Sequence, residues 1–245
     1  MTTTLITGAS SGLGAEMARQ LAAKGHDLAL CARRTDRLAE LAEEIRTAHG
    51  VRVEYRPLDV NDHAAVRDVT QAFAADFGGL DRVVVNAGLG KGTPLGTGRF
   101  DANRDTVLTN VVGAIAQIEA ALEVFRAQER GHLVLVASVA ALRGLPKSQT
   151  AYAASKAALA SIGQGLQLEL AGTDIAVSVL YPGYIESEMN AGNKSPLLVS
   201  TEKGVRSMVS AIEKGSAHAI VPPLPWSVLG RVLEHAPQAV VRRLV

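Results

Sequence analysis

The feature that most narrows what this chain can fold into is a glycine loop set between a strand and a helix. Residues 3–7 (Thr-Thr-Leu-Ile-Thr) read as a short strand. The chain then runs Gly8-Ala-Ser10-Ser11-Gly12-Leu13-Gly14, and apolar residues recur at helical spacing at Leu13, Met17, Leu21 and Ala22. A strand, a glycine loop and a helix in that order bring backbone amides to the start of the helix, where the dipole favours an anion. Gly8 permits the sharp turn, Gly12 lets backbone approach a pyrophosphate, and Gly14 lets helix and strand pack closely. The spacing is Thr-Gly-x-x-x-Gly-x-Gly rather than GxGxxG. Two readings follow: a dinucleotide site, or a plain βα turn rich in small residues.

The alternation continues along the chain. Residues 27–32 form a second strand that ends at Arg33-Arg34. In a dinucleotide fold an acid at this strand end holds the ribose 2′-hydroxyl. Here Ala32 stands at that place and two guanidiniums follow, a pairing suited to a 2′-phosphate. That predicts NADP(H) rather than NAD(H); two solvated arginines heading a helix are the other reading. Residues 35–48 read as an amphipathic helix ended by Gly50, residues 51–55 as a strand, and residues 61–77 as a helix capped by Asn61 or Asp62. Residues 80–85 form a fourth strand running into Asn86-Ala87-Gly88, and residues 88–98 a glycine-rich loop. Residues 100–130 are mostly helical, with Asn110 inside, an unfavourable place unless its side chain has a use. Strands follow at 133–136, ending at Ser138, and at 175–180, broken by Pro182-Gly183; a helix at 204–214 and a strand at 218–221 complete the pattern.

Seven strands with intervening helices predict an α/β fold: a Rossmann-type, doubly wound, mainly parallel sheet with helices on both faces. Residues 1–221 make one domain, and 222–245 an apolar helical tail. Aromatics are only 4% of the 245 residues, which suits helices packed closely on a parallel sheet. Net charge is +1, giving no electrostatic case for nucleic acid. The single Cys31 excludes an internal disulfide and a cysteine metal cluster, and no metal site is expected. No basic segment followed by a long apolar one opens the chain, and no run of about 18 apolar residues suggests a span. A cytoplasmic location is the expectation.

The chemistry centres on Tyr152-Ala-Ala-Ser-Lys156. The i, i+4 spacing puts the phenol and the ammonium on one helical face. A neighbouring ammonium favours the phenolate and brings proton exchange toward neutral pH. An aromatic ring packed on an aliphatic stem is the plainer alternative.

Together these segments resemble the short-chain dehydrogenase/reductase family, in its short single-domain form. The resemblance spans residues 3–221 and rests on Thr7-Gly-Ala-Ser-Ser-Gly-Leu-Gly14, Asp59-Val60, Asn86-Ala-Gly88, Asn110, Ser138, Tyr152-x-x-x-Lys156 and Pro182-Gly183, in that order. It implies an NADP(H)-dependent oxidoreductase interconverting a ketone or aldehyde and an alcohol. Tyr152 is then the general acid/base. Lys156 lowers its pKa and binds the nicotinamide ribose, Ser138 orients the carbonyl, and Asn110 supports a proton relay through a bound water. The implied cofactor contacts are Gly8, Ser10, Ser11, Gly12, Leu13, Gly14, Arg33, Arg34, Asp59, Val60, Asn86, Ala87, Gly88, Tyr152, Lys156, Pro182, Gly183, Ile185 and Ser187. Departures are Val85 before Asn86, Ala137 before Ser138, and Ser187 in place of a threonine. None removes a catalytic group. A catalytically silent NADP(H)-binding sensor on the same fold is the alternative; a sugar-nucleotide epimerase or dehydratase fits less well, for want of a separate substrate domain.

The resemblance implies a substrate pocket drawn from Ser138, Leu145, Tyr152, Tyr184 and Met189, with Leu142 and Pro146 nearby, which favours an apolar or lipid-like carbonyl over a sugar. Arg143 and Lys91 are the cations near it. The tail (Pro222-Pro-Leu-Pro-Trp226, then Val228, Leu229, Val232 and Leu233, with Val240, Val241, Leu244 and Val245 beyond Pro237) leaves three roles open. It can pack on its own domain or a twin subunit, cover the pocket, or rest on a membrane surface. A homodimer or homotetramer is expected by family habit, through residues 101–130 and 151–171.

Overall fold

A computed structural model describes residues 2–90, 92–190, 192 and 195–237. Seven strands form one sheet: β1 (Thr3–Thr7), β2 (Asp27–Ala32), β3 (Val53–Pro57), β4 (Arg82–Val85), β5 (Arg130–Val136), β6 (Asp174–Pro182) and β7 (His218–Val221). Their order is β3-β2-β1-β4-β5-β6-β7, and every pairing is parallel. This is the doubly wound topology expected from the sequence, and among the described residues no strand runs antiparallel. The order reverses between β1 and β4, so the connections leaving these strands diverge to opposite faces. A crevice opens at their carboxyl ends.

The helices are α1 (Gly12–Ala22), α2 (Thr35–His49), α3 (His63–Phe77), α4 (Phe100–Val107), α5 (Gly113–Gln128), α6 (Thr150–Glu169), α7 (Thr201–Glu213) and α8 (Pro223–His235). One apolar layer joins Met17, Leu21, Leu38, Ile45, Met208 and Ile212 of α1, α2 and α7 to one sheet face. The other joins Phe73, Ile118, Phe125 and Leu159 of α3, α5 and α6 to the opposite face. With both faces covered, the central strands carry continuous apolar runs: Val83–Val85 of β4 is buried at every position.

Several boundaries differ from the sequence expectation. β3 runs two residues later, because its register with β2 pairs Val53 with Leu28 and carries on to Pro57 opposite Ala32. Proline is accommodated there on an edge strand. β5 begins at Arg130, since Glu129 turns left-handed (φ 58°) and ends α5 before it. The α3 cap is Asp62, whose carboxylate accepts from Ala65 N at 3.1 Å. Between α4 and α5 the helix widens into a π turn at Leu108–Val112, and Asn110 sits in it. The continuous run Phe100–Gln128 contains an 18-residue window of mean hydropathy 1.4, long and apolar enough for a span by composition, where the sequence suggested none. In this fold 56% of that window is buried, against α3 and the sheet. It is a core helix.

The tail begins as α8, which carries the sole tryptophan. Trp226 is 3% exposed and joins the α5–α6 layer, with Leu229 beside it. Leu224 lies exposed at a kink in the first turn, and Val228 and Val232 lie exposed one helical turn apart. Arg143 closes the helix by donating from Nη1 to Ala236 O (2.9 Å) and Glu234 O (3.3 Å). Val240, Val241, Leu244 and Val245 lie outside the described residues, as does Lys91.

Candidate active site

The crevice at the strand ends is a cleft of about 580 Å³, within the ~300–1,000 Å³ range of small-molecule sites. Its floor is the turn from β1 into α1. Gly8 takes φ 65°, a left-handed value that suits glycine. Gly14 is fixed by proximity, since a Cβ there would lie 2.4 Å from Gly8 O and 2.7 Å from Asn86 Nδ2. α1 then starts at Gly12 with no side-chain cap from Ser11 and no acid in its first turn. Its leading amides and dipole therefore face the cleft without a competing carboxylate. Thr7 ties this floor to β4: its hydroxyl donates to Val84 O (3.3 Å) and accepts from Asn86 N and Ala87 N (3.0 Å each). Asn86 returns a bond from Nδ2 to Thr7 O (2.9 Å).

The side walls carry the remaining polar groups. Arg34 lies over the glycine loop, donating from Nε to Ser10 Oγ (3.2 Å) and from Nη2 to Ser11 Oγ (2.5 Å). Arg33 turns the other way, with Nη1 3.9 Å from Asp59 Oδ2. Asp59 and Val60 line the same wall, and Pro182, Gly183, Ile185 and Ser187 line the opposite one after β6. Ser187 crosses toward the glycine loop: a Cβ on Gly12 would sit 3.4 Å from Ser187 Cβ.

At the deep end, β5 delivers Ser138 and α6 delivers Tyr152 and Lys156. Ser138 caps the short turn Val139–Leu142, accepting from Ala140 N at 3.1 Å. Burial raises the Tyr152 pKa, and a hydrogen bond from Ser138 offsets part of that rise. Lys156 is 5% exposed and donates from Nζ to Val136 O at 2.8 Å. Burial pushes its ammonium down to about 8. The sequence led us to expect an ammonium that lowers the phenol's pKa. Here burial and Ser138 are the influences on the phenol, and the Lys156 amine donates to the Val136 carbonyl.

Asn110 is 1% exposed and lies behind the cleft wall. Its Oδ1 accepts from Leu89 N (2.7 Å), and its Nδ2 donates to Leu89 O (2.9 Å) and Ser155 Oγ (3.0 Å). Its amide thus holds the chain just past Gly88, and a Cβ on Gly88 would come within 3.1 Å of Asn110 Oδ1 and 3.5 Å of Lys156 Nζ. This is the use that a mid-helix asparagine needs.

Of the residues singled out for substrate, Ser138, Tyr152 and Met189 line the cleft, and two do not. Tyr184 packs edge-on to Trp226 (centroids 4.9 Å apart, planes at 76°), drawn away by an aromatic partner on α8. Leu145 lies in the turn before α6, where its carbonyl accepts from Thr150 Oγ1 at 3.0 Å. Leu142 packs on Gly230 of α8, and Arg143 is engaged with the end of that helix. Sequence reasoning missed Thr7 as a brace, and missed Glu188, which lines the cleft beside Ser187. Only its place next to the Pro182–Ser187 stretch pointed to it.

The residues present fit a dinucleotide. The glycine floor leaves backbone bare beside uncapped amides. The buried Lys156 amine has one acceptor among the described residues, so two of its N–H groups remain for ribose hydroxyls. Among the described residues no cluster of His, Cys, Asp and Glu is placed to hold a metal.

Comparison with known proteins agrees with this geometry. Residues 2–197 match the model of a family described as short chain dehydrogenase. An uncharacterized oxidoreductase of Mycobacterium tuberculosis is 50% identical over 241 residues, covering 98% of this chain and 95% of that one. The 11-beta-hydroxysteroid dehydrogenase 1A of Arabidopsis thaliana is 38% identical over 189 residues, 77% of this chain and 53% of that protein. Among solved structures, a short-chain dehydrogenase from Sphingobium yanoikuyae in complex with NADPH superposes with a TM-score of 0.84 at 28% identity, over 99% of this chain and 96% of that one.

Proposed function

This chain belongs to the short-chain dehydrogenase family of oxidoreductases, and from that premise we propose that it interconverts a ketone or aldehyde and its alcohol with NADP(H). The observation that carries the proposal is the meeting of Ser138, Tyr152 and Lys156 at the deep end of a cleft floored by the glycine loop. When bound, the nicotinamide supplies or accepts the hydride. Tyr152 gives its proton to the substrate oxygen in reduction and takes it back in oxidation. A phenol, whose ordinary pKa is about 10, carries its proton at neutral pH and so has it to give in reduction. Ser138 donates to the same oxygen as charge develops there. Lys156 binds ribose hydroxyls, and Asn110 acts as a positioning residue for the Leu89 turn and keeps the Lys156 end of the site in shape.

The preference for NADP(H) rests on Arg34, which with Ser10 and Ser11 would hold the 2′-phosphate; Arg33 and Asp59 flank the adenine side. We assign an apolar, lipid-like substrate, supported by Met189 over the cleft and by the likeness to a hydroxysteroid dehydrogenase. A second copy of the chain would cover Val107, Leu108, Val112 and Ile115, exposed along α4 and α5; light scattering on the purified protein reads the resulting dimer or tetramer. The deciding experiment is Tyr152→Phe. Turnover of apolar ketones should fall by about two to four powers of ten while NADPH affinity holds. Full activity in the variant would refute the assignment.

A further inference from the structure

Three charged side chains at the outer end of the cleft are arranged in a way that the hydride chemistry does not require. Arg34 and Arg37 lie at the start of α2, and Glu188 reaches them from the opposite wall, 154 residues further along from Arg34. Arg34 Nη1 donates to Glu188 Oε2 (3.0 Å), and Arg37 Nη1 donates to Glu188 Oε1 (2.5 Å). Each carboxylate oxygen is therefore taken by one guanidinium. Arg37 first, then Arg34, holds the Glu188 carboxyl down to about 2, so it is an anion at any working pH.

We propose that Glu188 is a specificity-determining residue: its carboxylate and the 2′-phosphate of NADP(H) compete for the same guanidinium N–H groups. The inference rests on the NADP(H) reading above and deepens it. A 2′-phosphate placed among Ser10, Ser11 and Arg34 comes next to Glu188, since Arg34 contacts all three residues. Two anions cannot share that space without strong repulsion. All three charged side chains are about half exposed (42%, 44% and 57%). A bridge of that kind is worth only a few-fold in an equilibrium constant. A phosphate dianion, with its stronger charge-assisted bonds, displaces it. A bare ribose 2′-hydroxyl carries no charge and leaves the bridge intact. Glu188 thus lowers the affinity for the phosphorylated cofactor alone and narrows the gap between NADP(H) and NAD(H).

The test is calorimetric titration of the whole purified chain and of Glu188→Gln with adenosine 2′,5′-bisphosphate and with 5′-AMP. These probes differ by the phosphate in question and carry no nicotinamide. The carboxamide keeps the shape and removes the charge. The expected result is about fivefold tighter bisphosphate binding in the variant, with 5′-AMP unchanged within about twofold. A wild-type preference for the bisphosphate that Glu188→Gln leaves equal or weakens would overturn the competition and leave the NADP(H) reading standing. Equal binding of both probes by the wild type would overturn both.

Discussion

Acid should unfold this protein through one histidine far from the cleft. His132 lies near the base of β5, in a polar cluster between the sheet and α7. Arg82 Nε donates to His132 Nδ1 (3.1 Å), so that nitrogen must be bare, and Nε2 then carries the proton toward Ser178 Oγ (2.8 Å). Arg82 also donates to Glu213 Oε1 (2.9 Å), and Glu213 Oε2 meets His26 Nε2 at 3.3 Å. Protonating His132 would set N–H against N–H beside a guanidinium. Burial first, then the Arg82 charge, pushes its pKa from 6.5 down to about 4, with Glu213 pulling weakly the other way. The unfolded chain takes up this proton near pH 6.5 and the folded chain only near pH 4. Between those values the unfolded state binds more protons, so stability is full above about pH 6.5, falls as pH drops, and levels off below about pH 4. A gap of roughly 2.5 units at ~1.36 kcal/mol each makes the loss about 3 kcal/mol. Burial lowers the His26 pKa too, which adds to the slope in the same direction. Urea titrations followed by circular dichroism at pH 7, 6, 5 and 4 measure this. His132→Gln can still accept from Arg82 and donate to Ser178 but does not titrate, so its curve should be flatter than wild type by about 3 kcal/mol. Parallel curves would refute the reasoning. Should the variant not fold, the wild-type His132 ring resonance followed by NMR decides the matter: a midpoint near 6.5 refutes it equally.

The other predictions concern the cleft. Arg34→Ala removes the guanidinium over Ser10 and Ser11; NADPH binding should weaken by about tenfold to a hundredfold, the worth of a charge-assisted bond, while NADH changes little in the same fluorescence titration. Gly14→Ala drives a methyl into Gly8 O and Asn86 Nδ2; it should lower stability by about 1–3 kcal/mol in thermal melts and abolish dinucleotide binding, because the loop must shift. Ser155→Ala takes away the hydroxyl that accepts from Asn110 Nδ2 and donates to Tyr152 O at 2.7 Å; kcat should fall severalfold with the KM for NADPH held, whereas an unchanged kcat would remove Asn110 from the positioning role.

What could be read from the sequence was what short spacing controls. The glycine loop works within seven residues, and Tyr152 and Lys156 share a face within one helical turn, so local geometry already decides which groups come together. Alternation of apolar strands and helices carried the sheet as well, because a parallel sheet needs a crossover between each pair of strands. The hidden part depends on which side chains meet across the fold. The sequence put Arg33, the first residue past the strand end, ahead of Arg34, yet Asp59 draws Arg33 and the serines of the loop draw Arg34. Tyr184 looked like a pocket wall and instead found Trp226 on α8, 42 residues later; Leu145 lost its place in the same way, since the turn that carries it folds back on Thr150. Burial too is a tertiary property. Spacing put an ammonium near a phenol, but only the packed structure shows desolvation to be the larger influence on Tyr152 and binds the ammonium at Val136.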